Sequence, residues 1–260
     1  MKLHDVRRDY SGDLLPEELT NFEPWEFFDR WLGEALEQEL EATAMQLNTV
    51  DERGVPRSRV VLLKNYSPVG LVFYTSHLSA KGRELDTHPA TSVTFWWPRL
   101  MRQVRLVGTA SRLDRPEVES YFATRPRASQ IGAWASRQSE PLASRAELEA
   151  ARDEAERRFT GQDVPCPPYW GGYRIGVTEF EFWQGLSGRV HDRVVTRLDG
   201  DMWRAQRLHP SPGPGRGSAR GSLPPGRPAG SHPLTHSSVS RRATTSMRSR
   251  CASMTSLMSL

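Results

Sequence analysis

The residues of this chain best suited to chemistry are cations at defined places. Arg59 and Lys64 bracket the apolar string Val60-Val61-Leu62-Leu63, Lys81 follows Ser79 by two residues, and Arg125 precedes Pro126 in Tyr121-Phe122-Ala123-Thr124-Arg125-Pro126-Arg127-Ala128-Ser129-Gln130. Further on, Arg189-Val190-His191-Asp192-Arg193 sets a histidine among guanidinium groups. Such a set suits anion recognition, because arginine forks bind phosphate oxygens in pairs and helix N-termini add free N–H groups. Taken singly, each cation reads more readily as a solvated charge than as a ligand. The Arg125 turn divides evenly between ligand binding and plain helix termination. His191 reads as a surface hydrogen-bonder before it reads as a base, and its neighbouring cations disfavour a metal. Signatures of other chemistries are missing. There is no Gly-x-Gly-x-x-Gly between strand and helix, no P-loop, no Gly-x-Ser-x-Gly and no His-Glu-x-x-His.

These side chains need elements to hold them. Residues 24–40 place Trp25, Phe28, Leu32, Ala35, Leu36 and Leu40 on one helical stripe, with Pro24 at the first helical position. The runs Met45–Val50, Arg59–Lys64, Leu71–Thr75, Thr91–Trp97 and Gln103–Arg112 are β-branched or aromatic and of strand length. Turn-like Asp51-Glu52-Arg53-Gly54, Asn65-Tyr66-Ser67-Pro68 and Trp97-Pro98-Arg99 punctuate them. Short helices are expected after Ser79 and after Asp114. Ser144-Arg145-Ala146-Glu147 is a capping box opening a helix to about Phe159. Tyr173–Trp183 and Val194–Leu198 follow as strands, with Met202–Leu208 as a hairpin partner across Asp199-Gly200-Asp201. Strand upon strand with few crossover helices argues for an antiparallel sheet or barrel.

The chain has 260 residues, with 35 Lys+Arg against 31 Asp+Glu, a formal charge of +4. That balance is uneven. From Ser211 onward there are seven arginines and no acid, so residues 1–210 hold 28 basic against 31 acidic groups, a net of −3. All 23 aromatic residues also precede Ser211. The last 50 residues include 12 Ser, 6 Pro and 6 Gly, a composition expected to remain disordered because it cannot offset ordering entropy. With only three lysines in the chain, a GC-rich gene is implied, in which read-through or out-of-frame translation yields such strings. Removing 211–260 should therefore leave activity intact. No stretch approaches the roughly 20 apolar residues of a membrane span, and the charged N-terminus lacks a signal peptide's apolar core. Cys166 and Cys251 make neither a disulfide framework nor a zinc spacing. A cytoplasmic protein with no metal, membrane or nucleic-acid partner is expected.

Taken in order, the strings resemble the pyridoxine/pyridoxamine 5′-phosphate oxidases from about Arg7 to Pro210. Those carrying the resemblance include Arg59-Val60-Val61-Leu62-Leu63-Lys64, Phe73-Tyr74-Thr75, Arg102-Gln103-Val104, Tyr121 through Pro126, Ser129-Gln130-Ile131-Gly132-Ala133-Trp134, Gln138-Ser139, Trp170-Gly171-Gly172-Tyr173, Glu181-Phe182-Trp183-Gln184-Gly185, Arg189 through Arg193 and Trp203 through Pro210. The resemblance implies a mainly β fold with flanking helices, an FMN-binding split β-barrel over 24–210, and a homodimer with FMN at the subunit interface. A lid segment over 1–23 and the tail at 211–260 complete the domain plan. FMN contacts carry over to Arg59, Val60, Val61, Leu62, Leu63, Lys64, Tyr74, Thr75, Lys81, Gln103, Gln138, Ser139, Trp183 and Arg193. Substrate contacts carry over to Lys64, Tyr121, Arg125, Ser129, Arg189, Val190 and His191, with Arg7, Arg8, Asp9 and Tyr10 in the lid. Arg189 and His191 are the implied catalytic pair, holding the substrate ring against the flavin.

The implied reaction oxidises pyridoxine or pyridoxamine 5′-phosphate to pyridoxal 5′-phosphate, by hydride transfer from substrate C4′ to flavin N5 with oxygen as acceptor. One departure stands out. Ser79-Ala80-Lys81 occupies the place of the family's usual Ser-Arg-Lys, which removes one phosphate-binding arginine; Arg83 is the candidate substitute. Two rival readings remain at this level: a split-barrel flavin or deazaflavin reductase with another substrate, and a non-catalytic FMN or pyridoxal-phosphate carrier.

Overall fold

The computed structural model describes residues 9–210. The expected tail at 211–260, and Arg7 and Arg8 of the lid, lie outside the described residues. Helix α1 (Pro24–Gln38) is followed by strands β1 (Ala44–Val50), β2 (Pro56–Leu62), β3 (Asn65–Ser67) and β4 (Gly70–Ser76), then helix α2 (Ala80–Thr87). Strands β5 (Ala90–Trp97) and β6 (Arg102–Arg112) precede helices α3 (Arg115–Thr124), α4 (Arg127–Ala135) and α5 (Arg145–Arg158). Strands β7 (Trp170–Gln184), β8 (Asp192–Asp199) and β9 (Met202–Arg207) complete the order.

All pairings are antiparallel, along an open path β2-β1-β5-β6-β7-β4-β3, with β8 on β7 and β9 on β8. The 15-residue β7 is the spine, pairing with β6, β4 and β8. The main core lies between the sheet and α1, where Phe28, Phe73, Phe95, Phe180 and Phe182 are fully enclosed. Burying one such ring against leaving it exposed is worth about 1.5–3 kcal/mol. A second cluster, with Leu113, Phe122, Ile131, Phe159 and Trp170, fastens α3, α4 and α5 over β4 and β7.

Three expectations change. The α1 stripe runs through Pro24, Phe27, Phe28, Trp31, Leu32 and Ala35, while Leu36 and Leu40 are 59% and 92% exposed. Repeated steps of four drift about 40° each on a helix of 3.6 residues per turn, so Leu36 in a 28-32-36 row leaves the buried face, while Leu40 lies beyond the helix end at Gln38. Pro126 stops α3 but also precedes α4, because a proline that ends one helix is pre-shaped to begin the next. Asn65–Ser67 forms a short strand on β4 rather than only a turn. The expected Ser144 cap forms, though Glu147 reaches back one residue further than a capping box requires, and Ser79 adds a cap not expected from the sequence. Ser79 accepts from the Gly82 N–H, and Ser144 accepts from the Glu147 N–H while Glu147 reaches back to the Ala143 N–H at 3.0 Å.

Candidate functional site

A cleft of about 500 Å³ opens where β2, β4, α2, α3 and α4 converge. Val60, Val61, Leu62 and Lys64 form one wall, Tyr74, Thr75 and Ser76 the floor, Lys81 one end, and Tyr121, Arg125, Ser129, Gln138 and Trp170 the other side. Eleven of the sequence candidates line this cleft. Trp170, Ser76 and Ser136 are additions. Trp170 stands at the head of the quoted Trp-Gly-Gly-Tyr string, a signal available but not assigned.

Helix α2 fixes the first cation. The Ser79 hydroxyl accepts from Gly82 N–H at 3.2 Å and donates to the Ser76 carbonyl at 2.7 Å. Gly82 has to be glycine, since a Cβ there would stand 2.3 Å from the His77 carbonyl oxygen. Lys81 is only 9% exposed, and its ammonium reaches Thr75 Oγ1 at 3.2 Å and Ser79 Oγ at 3.4 Å. Burial, and then the charge of Arg59, pulls its pKa below the usual lysine value against the pull of Glu84. Neighbouring Arg59 donates to Thr49 and pairs with Glu84 at 2.7 Å, so Glu84 and Thr49 are holders that the sequence reading missed. Arg83 is exposed and donates to the Leu78 carbonyl. Leu63 is 4% exposed in the main core and contributes its backbone, donating to the Thr43 carbonyl at 2.9 Å.

The second cation is Arg125. Its guanidinium lies 4.7 Å over Trp170 and 5.5 Å over Phe122, burial lowers its pKa, and its Nη1 is buried without a hydrogen-bond partner. Beside it Tyr74, Tyr121 and Trp170 stack nearly parallel, with Tyr74 and Tyr121 centroids 3.9 Å apart. Lys64 is exposed on the cleft wall. Gln138 Oε1 accepts from Thr75 Oγ1 at 2.9 Å, and Ser139 turns into a neighbouring cleft at φ 75°.

The remaining candidates collect elsewhere. Strand register sets Gln103 opposite Trp183 and Trp183 opposite Arg193. Trp183 and His191 rings lie 4.7 Å apart, and Tyr10 meets both edge-on at 5.9 and 5.2 Å. Arg193 is fastened to buried Glu181 at 2.7 Å. His191 Nδ1 accepts from Leu186 N–H at 3.1 Å, so its neutral ring carries the proton on Nε2 and presents a donor. Burial, then the charge of Arg189, lowers its pKa. Arg189 and Val190 are exposed, and Arg189 takes the left-handed φ of 65°, a conformation a non-glycine residue holds only when its surroundings enforce it. Asp9 is exposed at the start of the described residues. Within one chain the cleft and this cluster share none of their candidate residues. Among the described residues no group of His, Cys, Asp and Glu could hold a metal, and no helix is long and apolar enough to cross a membrane.

Fold and site together define a split-barrel protein, mainly antiparallel β with flanking helices, whose cleft presents buried cations. Comparison with known proteins narrows this. The pyridoxamine 5′-phosphate oxidase profile matches residues 32–158, and that of the pyridoxine 5′-phosphate oxidase C-terminal dimerisation region matches 170–210. The chain belongs to the pyridoxamine 5′-phosphate oxidase family. It is 48% identical over 209 residues to the pyridoxine/pyridoxamine 5′-phosphate oxidase of Rubrobacter xylanophilus, covering 80% of this chain and 96% of that one. It is 47% identical over 210 residues to that of Thermosynechococcus vestitus, covering 80% and 99%. Among solved structures, PhzG from Burkholderia lata in complex with tetrahydrophenazine-1-carboxylic acid aligns with a TM-score of 0.71 at 32% identity, covering 77% of this chain and all of that one. A related FMN-binding protein from Nostoc punctiforme shares the fold, at TM-score 0.59 and 15% identity over 74% of this chain and all of that one.

Proposed function

We propose that this chain, as a homodimer, binds FMN and oxidises pyridoxine and pyridoxamine 5′-phosphates to pyridoxal 5′-phosphate. The observation that carries the reading is a pair of under-partnered cations, buried Lys81 and half-buried Arg125, in one cleft of a chain of this family. Lys81 has three donors and only two hydroxyl partners, and Arg125 keeps an unpartnered Nη1. A buried cation without a carboxylate is costly unless an anion completes it. FMN and the substrates each bring a phosphate of charge near −2. Lys81, the α2 N-terminus and Arg59 suit the cofactor phosphate, and Arg125 with Lys64 and Ser129 suits the substrate phosphate. Val60, Val61 and Leu62 supply the apolar wall a flavin ring needs.

When bound, FMN would supply the acceptor for the hydride from substrate C4′, with the alcohol or amine proton released to solvent, and the route by which dioxygen takes up the electron pair and two protons as hydrogen peroxide; the amine substrate would also take up water and lose ammonia as its imine hydrolyses. The protein's part is orientation. His191 offers Nε2–H from a ring fixed by the Leu186 amide, Arg189 adds a charge beside it, and Trp183 gives the ring a flat neighbour. Gln103 and Arg193 lie along one cross-strand row, suited to hydrogen-bonding a flavin edge and stabilising negative charge there. The separation of this cluster from the cleft supports a site shared between two protomers. So do the matched dimerisation region and the exposed apolar side chains of edge strand β2, where Val60 and Leu62 are 65% and 37% exposed.

An absorbance spectrum of the purified protein tests the proposal. A yellow protein that bleaches anaerobically with pyridoxine 5′-phosphate, and on admitting air yields equal amounts of aldehyde and peroxide, fits the reading. A yellow protein that never bleaches with either substrate indicates a carrier or a reductase of another substrate. Failure to take up FMN rejects the cofactor.

A further inference from the structure

The segment before α1 lies across the end of β7 and is tied there by the far end of the domain. Tyr10 rests against Trp183 and His191, and Ser11 N–H donates to Met101 Sδ at 3.2 Å. Gly185 makes the path possible, because a Cβ there would stand 2.5 Å from the Tyr10 ring. Between Tyr10 and Leu15 the Met101 thioether is a weak acceptor and gives little hold. The firm point is Leu15, 4% exposed, whose N–H donates to Asp192 Oδ2 at 2.9 Å. Asp192, with a side chain 6% exposed, also receives Arg207 Nη1 on both oxygens. Arg207 Nη2 donates to the Pro16 carbonyl at 2.6 Å and the Leu15 carbonyl at 3.4 Å. One guanidinium therefore clamps a buried carboxylate and two backbone carbonyls of the N-terminal segment. Asp192 sits between His191 and Arg193 in the chain.

We propose that Asp192 and Arg207 form a latch that holds the base of this segment and so sets Tyr10 over His191, making both positioning residues for substrate capture. The functional consequence rests on the oxidase reading above. A segment closing over a substrate ring is a gate, and a loosened gate weakens retention before it slows the chemical step. The guanidinium spans the two, Nη1 on the carboxylate and Nη2 on the carbonyls, a charge-assisted contact that fixes geometry as well as energy, and neither residue lines the cleft assigned to phosphate.

The test uses the FMN-loaded full chain with Arg207→Ala, and Asp192→Asn as a second variant that keeps the side-chain volume. Amide exchange across residues 9–16 should accelerate, Leu15 most of all. KM for pyridoxine 5′-phosphate should rise about tenfold with a much smaller fall in kcat, and Arg207→Lys should recover only part of it, since it restores charge without the fork. In a Tyr10→Ala background, Arg207→Ala should have little further effect on KM, as for two residues acting through one contact. Unchanged exchange, or an equal KM rise with and without Tyr10, overturns the latch. Should the wild-type chain prove inactive on both B6 phosphates, the oxidase reading falls, and the exchange measurement alone decides the latch.

Discussion

Arg125 sets binding against stability within a single side chain. A buried donor left without a partner costs roughly 1–3 kcal/mol, and the stacking on Trp170 offsets only part of it. Arg125→Met, which keeps the length and removes the charge, should leave the melting temperature of the unliganded protein unchanged or higher. The same change should raise KM for pyridoxine 5′-phosphate by about 10–100-fold, the loss of one charge-assisted bond of about 1.5–3 kcal/mol. Thermal denaturation and steady-state kinetics check the two halves, and a large fall in melting temperature with unchanged KM would reverse the assignment. His191 makes a pH prediction. Its neutral ring accepts from Leu186; protonation turns Nδ1 into a donor facing that N–H. Because burial and Arg189 hold the pKa below the usual 6.5, kcat/KM should fall as pH falls through a midpoint under that value. Arg189→Ala removes the smaller of the two causes, so the acid limb should move up towards 6.5 without reaching it, as turnover drops and FMN is retained. An acid limb that stays in place assigns it to another group.

Helix α2 has only eight residues, yet its placement decides whether a phosphate can be held. Ser79 caps it, Gly82 lets it approach the His77 backbone, and Tyr173 Oη binds both the Gly82 carbonyl at 3.1 Å and Asp86 at 2.9 Å. A phosphate dianion beside Lys81 restores the proton that burial makes easier to lose, so binding takes up a proton at alkaline pH. FMN affinity should therefore decline as pH rises, beginning below the 10.5 of an ordinary lysine, and Lys81→Arg should remove the decline. Fluorescence titration of FMN from about pH 7 to 10 measures it. In the same assay Ala80→Arg should tighten FMN by about 10–100-fold, the worth of one charged hydrogen bond, about 1.5–3 kcal/mol; unchanged affinity removes Ala80 from consideration. Much of this was legible in the sequence, because helix starts and strand runs are local signals: Ser79, Ser144 and the runs around Phe73 and Phe95 need no distant partner to be recognised. The α1 stripe was misread where a four-residue step outran the helical period. The grouping of Gln103, Trp183 and Arg193 depends on the register of β6, β7 and β8, which no local pattern sets. The holders Thr49 and Glu84 escaped notice because each is an ordinary polar residue until Arg59 lands between them.

At the scale of the whole molecule, the formal charge of +4 is misleading, since residues 1–210 carry −3 and seven arginines follow them. The cations assigned to chemistry are few, with Lys81 buried and Lys64 and Arg189 exposed, and they divide into two groups on one chain. A two-fold dimer presents the same patch from both partners, so the cleft of one protomer can meet the Trp183–His191 cluster of the other twice over. This arrangement has a consequence that no single-chain site shares. Arg125→Met damages the cleft and His191→Ala damages the cluster, so each homodimer should be nearly inactive. Co-expressed with different affinity tags and purified through both, the two variants form a heterodimer in which one site inherits both lesions and the other inherits none. That heterodimer should recover about half of the wild-type turnover per dimer, one intact site of two. If each chain builds its whole site alone, every site keeps one lesion, and the doubly purified protein remains as inactive as its parents.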